Sequence, residues 1–386
     1  MRGAETIRRL GWLRALGFAA LIAGCEGRPR PAHKPPPRAS SSALPLGSLE
    51  PPRPAPSMLL PIAEALEEVH EKKAAIAPSR DETPRLAFGK GRLAQAAPQK
   101  VVFRDTKDGS VIAEAELGAV RALAAGIDGS LFALGPTNGA RLEPKSTKPR
   151  TFPHVAFFRG AALFPDLEDP SHFYVYYGGD GELFQFPFEA EAGAFLPIED
   201  RFPLAGCLGA PALTHDGAFL CATEDGVERR APRGRETHFK WPRGVENVVR
   251  LLPAKRLDDF FALTRQGEVV HLRLEQGMPA LDRFQLPAPP FAAAANDEAL
   301  AFVLVSAPAD KQTRHFTLLV TGLDGRERFK VELESKPAPP GDDWLEAVIG
   351  DKNLAISGFE PLVAVGGPDA VTVWDYAQGA QVFALK

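Results

Sequence analysis

Between Leu345 and Lys386 four short apolar runs follow one another, Leu354–Ile356, Leu362–Val365, Val371–Trp374 and Val382–Leu385. Gly366-Gly367-Pro368-Asp369 and Gln378-Gly379 punctuate them. Runs of this length, rich in β-branched and aromatic side chains and divided by residues that tolerate turn dihedrals, predict a four-stranded antiparallel meander.

The same alternation of run and turn can be laid back along the chain to Pro84. Six further units emerge: Arg85–Leu117, a second beginning at Gly118, then Pro153–Leu204, Ala205–Arg243, Gly244–Ala288 and Pro289–Ala338. Turns at Asp108-Gly109, Asp128-Gly129, Asp180-Gly181, Asp216-Gly217, Asp225-Gly226, Gln266-Gly267 and Asp324-Gly325 divide the strands, and the fourth strand of the second unit is poorly marked. Seven units over roughly 300 residues average about 43 each, the period of four-stranded propeller blades. The expected fold is all-β, a seven-bladed β-propeller over residues 84–386. Six or eight blades stay open because the third unit is long and the second short. Each blade takes its four strands from one contiguous stretch, so the ring closes without strand exchange between its ends. Stacked β-sandwiches are the competing architecture.

Val373-Trp374-Asp375 resembles the end of the third strand of a WD40-type blade, and Arg85–Gln95, Val101–Gly109 and Val111–Ala113 together resemble a whole WD40 or YVTN-like blade. The resemblance covers most of 84–386, although only one blade carries Trp-Asp and Gly-His dipeptides are absent. It implies a rigid ring that displays loops on two faces.

The N-terminal quarter departs from the β pattern. Arg2, Arg8, Arg9 and Arg14 precede an apolar run, Ala15 to Ile22, and then Ala23-Gly24-Cys25. A basic region, a short apolar stretch and small residues read as a secretory signal, too short for a stable membrane span. Ile22-Ala23-Gly24-Cys25 resembles the bacterial lipobox. That resemblance implies cleavage of residues 1–24 and acylation of Cys25, with an ordinary signal peptide as the alternative. Each acyl chain buries CH₂ groups at about 0.8 kcal/mol apiece, so several chains anchor permanently. Glu26, where Asp is the inner-membrane retention signal, implies the outer membrane, facing the periplasm. Residues 25–57 are rich in Pro, Ser and Arg, including Pro35-Pro36-Pro37, and predict a disordered tether that extends to roughly 100 Å at most. Residues 58–83 hold an amphipathic helix and connector. Leu59, Ile62, Leu66 and Val69 recur near helical spacing, Glu68 and Lys72 form an i,i+4 pair, and Pro78 supplies a stop. Its apolar stripe is expected to pack on the domain that follows, with a partner groove as the alternative.

Composition narrows function mainly by exclusion. The whole chain has a formal charge of −4, and loss of residues 1–24 leaves 41 basic and 48 acidic residues, a net of −7. A mildly acidic chain is not built for nucleic acid. The eight histidines form no His-x-His or His-Glu-x-x-His arrangement, and no Cys-x-x-Cys, Gly-x-Ser-x-Gly elbow or phosphate loop appears, so no cofactor or metal is expected.

Three features remain as candidates. Cys207 and Cys221 could form a disulfide in an oxidising compartment. Simple hairpin pairing about Thr214–Gly217 sets Cys221 opposite Pro211, four residues away from Cys207, and a bulge at Gly209–Pro211 would close the gap. Arg229, Arg230, Arg233 and Arg235 with Trp241 form a candidate basic ledge for an acidic partner, the alternative being a solvated loop neutralised by Glu224, Glu228 and Glu236. Tyr174 and Tyr176, in the aromatic third unit, are either blade core or a partner-binding aromatic patch. These readings converge on a non-catalytic, membrane-anchored propeller lipoprotein that serves as a protein-interaction scaffold in the cell envelope, its partner proteins unidentified. The alternative is a ligand-binding or lactonase-type hydrolase centred on the channel, which a convergence of carboxylates, Asn or His at the channel mouth would favour.

Overall fold

The computed structural model describes residues 85–385 apart from 154–160, 170–171, 178–180, 188–199, 205–206, 209, 233, 235, 255, 257, 289, 307–312, 338–352 and 367–369. The signal, Cys25, the tether and the expected helix at 58–77 lie outside the described residues. So do Arg233 and Arg235.

Twenty-eight strands form seven four-stranded antiparallel sheets, each from one contiguous stretch. Blade 1 is β1–β4 (Leu86–Gly89, Arg92–Ala96, Lys100–Asp105, Val111–Glu116), and blade 2 is β5–β8 (Ala122–Ala125, Leu131–Leu134, Asn138–Leu142, Arg150–Pro153). Blade 3 is β9–β12 (Ala161–Pro165, His172–Tyr177, Glu182–Pro187, Asp200–Pro203), and blade 4 is β13–β16 (Ala212–Leu213, Phe219–Ala222, Gly226–Arg230, Glu236–Lys240). Blade 5 is β17–β20 (Val248–Pro253, Asp259–Thr264, Glu268–Arg273, Ala280–Gln285), and blade 6 is β21–β24 (Pro290–Ala295, Ala299–Ser306, Thr313–Gly322, Glu327–Pro337). Blade 7 is β25–β28 (Asn353–Ile356, Leu362–Gly366, Val371–Asp375, Ala380–Leu385). The fold is therefore a seven-bladed β-propeller, with Trp374 and Asp375 ending the third strand of blade 7 as the resemblance implies. The poorly marked strand of blade 2 is Arg150–Pro153. Its first two residues are exposed and only Phe152 points inward, so no alternation announces it.

Seven apolar clusters fill the seven joints between neighbouring blades. Side chains alternate across a strand, so one strand serves two joints. In β22, Leu300, Phe302 and Leu304 pack toward blade 5, whereas Ala299, Ala301 and Val303 pack toward blade 7. Both faces are dry, which is why central strands read as continuous apolar runs and not as alternating ones. The ring closes where Leu86, Phe88 and Leu93 of blade 1 meet Ala364, Val373 and Phe383 of blade 7. Arg85 N donates to Asn353 Oδ1 at 3.3 Å across the same joint.

Antiparallel pairing puts the turns between first and second strands, and between third and fourth, on one face, called front here. The other connections lie on the back face. Contacts between blades join like with like: Lys90 N donates to Gly129 O at 3.3 Å, and Asn296 Nδ2 donates to Ser357 O at 2.7 Å, both between front turns.

Candidate functional site

A propeller's chemistry is usually sought where its innermost strands converge. The first strands abut around the ring, β1 with β5 and β25, β5 with β9, and β17 with β13 and β21. Their sequences are LAFG, ALAA, AALFP, AL, VVRLLP, PFAAAA and NLAI. Arg250 and Asn353 are the only polar side chains among them. These strands are apolar apart from those two residues, and no set of titratable groups converges along them. Among the described residues no group of three or more His, Cys, Asp or Glu is placed to hold a metal ion.

Polar chemistry collects instead on the front turns that end the inner strands. Asp128 Oδ1 accepts from Ser130 N at 2.9 Å, Asp166 Oδ1 from the amides of Glu168 and Asp169 at 2.9 and 3.1 Å, and Asn296 Oδ1 from those of Glu298 and Ala299 at 2.9 and 2.8 Å. Short polar side chains are used here because they satisfy turn amides that a ladder leaves open. One contact skips a blade: His215 Nε2, on the front turn of blade 4, lies 3.0 Å from Asp297 Oδ1 on that of blade 6. Of these, only Asp128 and His215 fall in turns that an Asp-Gly pair marks in the sequence. Their recurrence a few positions before each second strand was the available signal.

The expected partner-binding residues fall elsewhere. Tyr174 and Tyr176 are 5% and 2% exposed, which corrects the aromatic-patch reading. They sit in the joint between blades 3 and 4, where Tyr174 meets Phe219 edge-on at 5.3 Å between ring centroids. Burial pushes the Tyr176 hydroxyl up to about 12. Tyr174 Oη instead donates to Asp166 Oδ2 at 3.0 Å, and Gln185 Nε2 donates to the same oxygen at 2.8 Å. Of the basic ledge, Arg233 and Arg235 lie outside the described residues, and the two described arginines are paired. Arg229 pairs with Asp216, and Arg230 Nη1 donates to Glu236 Oε2 at 2.5 Å, so both guanidinium groups are engaged within blade 4. Trp241 donates from Nε1 to Thr223 O at 3.0 Å and packs on the joint with blade 5, pinning a back connection.

Cys207 and Cys221 are joined, with Cα atoms 5.1 Å apart. The register sets Ala212 opposite Leu220, hence Pro211 at the level of Cys221, as simple pairing requires. Leu208 N nevertheless reaches Ala222 O at 2.7 Å. Four steps along one strand therefore match two along its partner, which brings Cys207 to Cys221.

Blade 5 holds the most desolvated ion pair among the described residues. Asp259, 4% exposed, accepts from Arg273 Nε at 2.8 Å and Nη2 at 3.3 Å. His271 stacks on Phe261 at 4.5 Å, its Nε2 lying 3.4 Å from Asp259 Oδ2, too long for a good hydrogen bond. Burial pushes the Asp259 carboxyl up, but the Arg273 hydrogen bond and charge, with His271 behind them, bring it below the usual aspartate range. Burial lowers His271 by more than Asp259 raises it. In both cases the unfolded chain takes up protons before the folded one, so stability is lost as pH falls, first below about 6.5 and again below about 3.9. The urea midpoint is expected to drop between about pH 7 and about pH 5, and His271→Gln should flatten that part of the profile. An identical slope in the variant would remove His271 from the account.

No protein-family model matches the chain, and no curated protein matches it in sequence. Among solved structures, the β-propeller domain of Cps50 (Swd1) from Myceliophteria thermophila is 12% identical, with 75% of this chain and 94% of that one covered at a TM-score of 0.50. A functionally unknown protein from Desulfotomaculum acetoxidans is 13% identical, with 78% and 95% covered at 0.51. At such identities the likeness shows a WD40-like fold, and fold alone assigns no chemistry.

Proposed function

We propose that this chain is a non-catalytic propeller scaffold, held in a bacterial cell envelope by a lipid on Cys25 and presenting its loops to protein partners. The observation that carries the reading is the apolar composition of the innermost strands. An enzyme or ligand binder of this architecture needs converging polar groups that are not already committed, whereas at the front mouth the Asp128, Asp166 and Asn296 oxygens serve turn amides and His215 pairs with Asp297, and a display platform needs only a rigid ring. WD40-type propellers commonly serve as such platforms. The lipobox-like Ile22–Cys25 and the Pro-rich stretch after it supply the anchor and reach, and Glu26 favours the outer membrane, facing the periplasm. Tethering raises the local concentration of the scaffold near envelope partners.

Cys25→Ala is expected to lose incorporation of labelled palmitate, to leave the membrane fraction, and to lose whatever envelope protein cross-links to the native chain. The readouts are label, fractionation and mass spectrometry of the cross-linked material. An unlabelled wild type, or a Cys25→Ala chain that keeps both its membrane association and its partner, would sink the proposal.

A further inference from the structure

The turn between β1 and β2 is the two-residue Lys90-Gly91, whereas those on either side of it, 126–130 in blade 2 and 357–361 in blade 7, have five residues. A short turn between two longer ones leaves a notch in the front face above blade 1. The three are in contact. Lys90 N donates to Gly129 O, and a Cβ on Gly89 would stand 2.4 Å from that same oxygen, so only glycine allows the approach. On the other side Thr106 N donates to Gly91 O at 3.2 Å and Thr106 Oγ1 to Glu360 Oε2 at 3.2 Å.

Each shoulder of the notch carries an exposed apolar side chain, Ile127 at 59% and Phe359 at 40%. Both are held there by rigid turns. Gly126 N donates to Ser130 O at 2.8 Å beneath Ile127, and the buried Ser357 Oγ accepts from the amides of Phe359 and Glu360 at 3.1 and 3.2 Å. Preorganised apolar points lose little entropy when covered. Around them every inner front turn of blades 2 to 7 carries a carboxylate, Asp128, Glu168, Asp216, Asp258, Asp297 and Glu360 in ring order; Asp128, Asp216 and Asp297 are met by Arg141, Arg229 and His215, and Lys90 and Arg256 are the cations of the described turns. The chain reaches β1 from the back, because Arg85 precedes a strand that runs to the front.

Resting on the scaffold reading, we infer that the front notch over blade 1 docks an extended, lysine- or arginine-rich segment of a protein partner, with apolar residues seated on Ile127 and Phe359. The acidic rim selects the sign of the partner, and the apolar pair sets where it sits.

The test uses the chain from Cys25 onward and, as probe, a fluorescent dodecapeptide of lysine, leucine and glycine, with a glutamate-for-lysine counterpart. The lysine peptide should bind, more weakly as salt rises, and the glutamate peptide should not. Ile127→Ser combined with Phe359→Ser should weaken binding by about tenfold or more without moving the melting temperature, since both side chains are exposed. Leu208→Ser on the back face should leave binding unchanged. No binding, equal binding of both peptides, or an equal loss from Leu208→Ser overturns the assignment. Envelope cross-linking separates the two levels. A partner kept when Ile127→Ser and Phe359→Ser are combined, but lost with Cys25→Ala, sinks the notch and spares the scaffold; one lost with neither change sinks both.

Discussion

Asp166→Ala is expected to lower the unfolding free energy by about 3–5 kcal/mol, read as an earlier urea midpoint with an unchanged slope. Asp166 is 5% exposed and accepts four hydrogen bonds, from the Tyr174 hydroxyl, the Gln185 amide and the backbone amides of Glu168 and Asp169. Truncation leaves those donors facing a small void, across which Gln185 and Tyr174, 3.2 Å apart, can still pair. Asp166→Asn should cost less than half as much. Its oxygen can keep the two turn amides, and its NH₂ group is tolerated if the Gln185 amide flips to offer its carbonyl. A loss below about 1 kcal/mol for alanine would mean that water already serves this turn.

The second large effect comes from the Cys207–Cys221 bond. Its sequence separation is 14, and in the chain-entropy account a closed loop of that size is worth about 3 kcal/mol. Cys207→Ser and the reduced wild type should therefore melt alike and well below the oxidised chain. Cys221→Ser should be worse than either, because Cys221 is fully buried among Tyr174, Phe202 and Phe219, where a hydroxyl finds little to bond. Tyr174 touches both this cluster and Asp166. The two lesions share a joint, so their combined cost should depart from the sum, and a double-mutant cycle measures by how much. Equal stability of oxidised and reduced protein would show that the bond adds nothing in the native ring.

Most of the architecture was legible because blades repeat a local rule. Asp-Gly and Gln-Gly turns mark hairpins through backbone needs that do not depend on the neighbours, and the offset of Cys207 from Pro211 could be read from strand pairing alone. Reading weakened where the outcome depended on a second strand or blade. Nothing near Arg229 or Arg230 in the chain says that Asp216 and Glu236 lie alongside them, since antiparallel pairing creates that proximity. Tyr174 and Tyr176 look the same in sequence whether they face solvent or blade 4. Ile127 would pass for a core residue, and only the hydrogen-bonded turn around it turns the side chain outward. The front rim was invisible for a similar reason, its carboxylates being some forty residues apart and brought together only by the ring.

No strand is shared between blade 7 and blade 1, and that has a kinetic consequence. Six of the seven joints unite stretches adjacent in sequence, whereas the last unites residues 268 positions apart at Arg85 and Asn353. Sheets built from local contacts form early, and a contact that closes a loop of that length carries the largest entropy cost of any in the domain. The folding order implied is a growing arc of finished blades followed by one docking event. A circular permutant opened between any other two blades keeps all seven sheets whole and moves this late-closing joint to a new place.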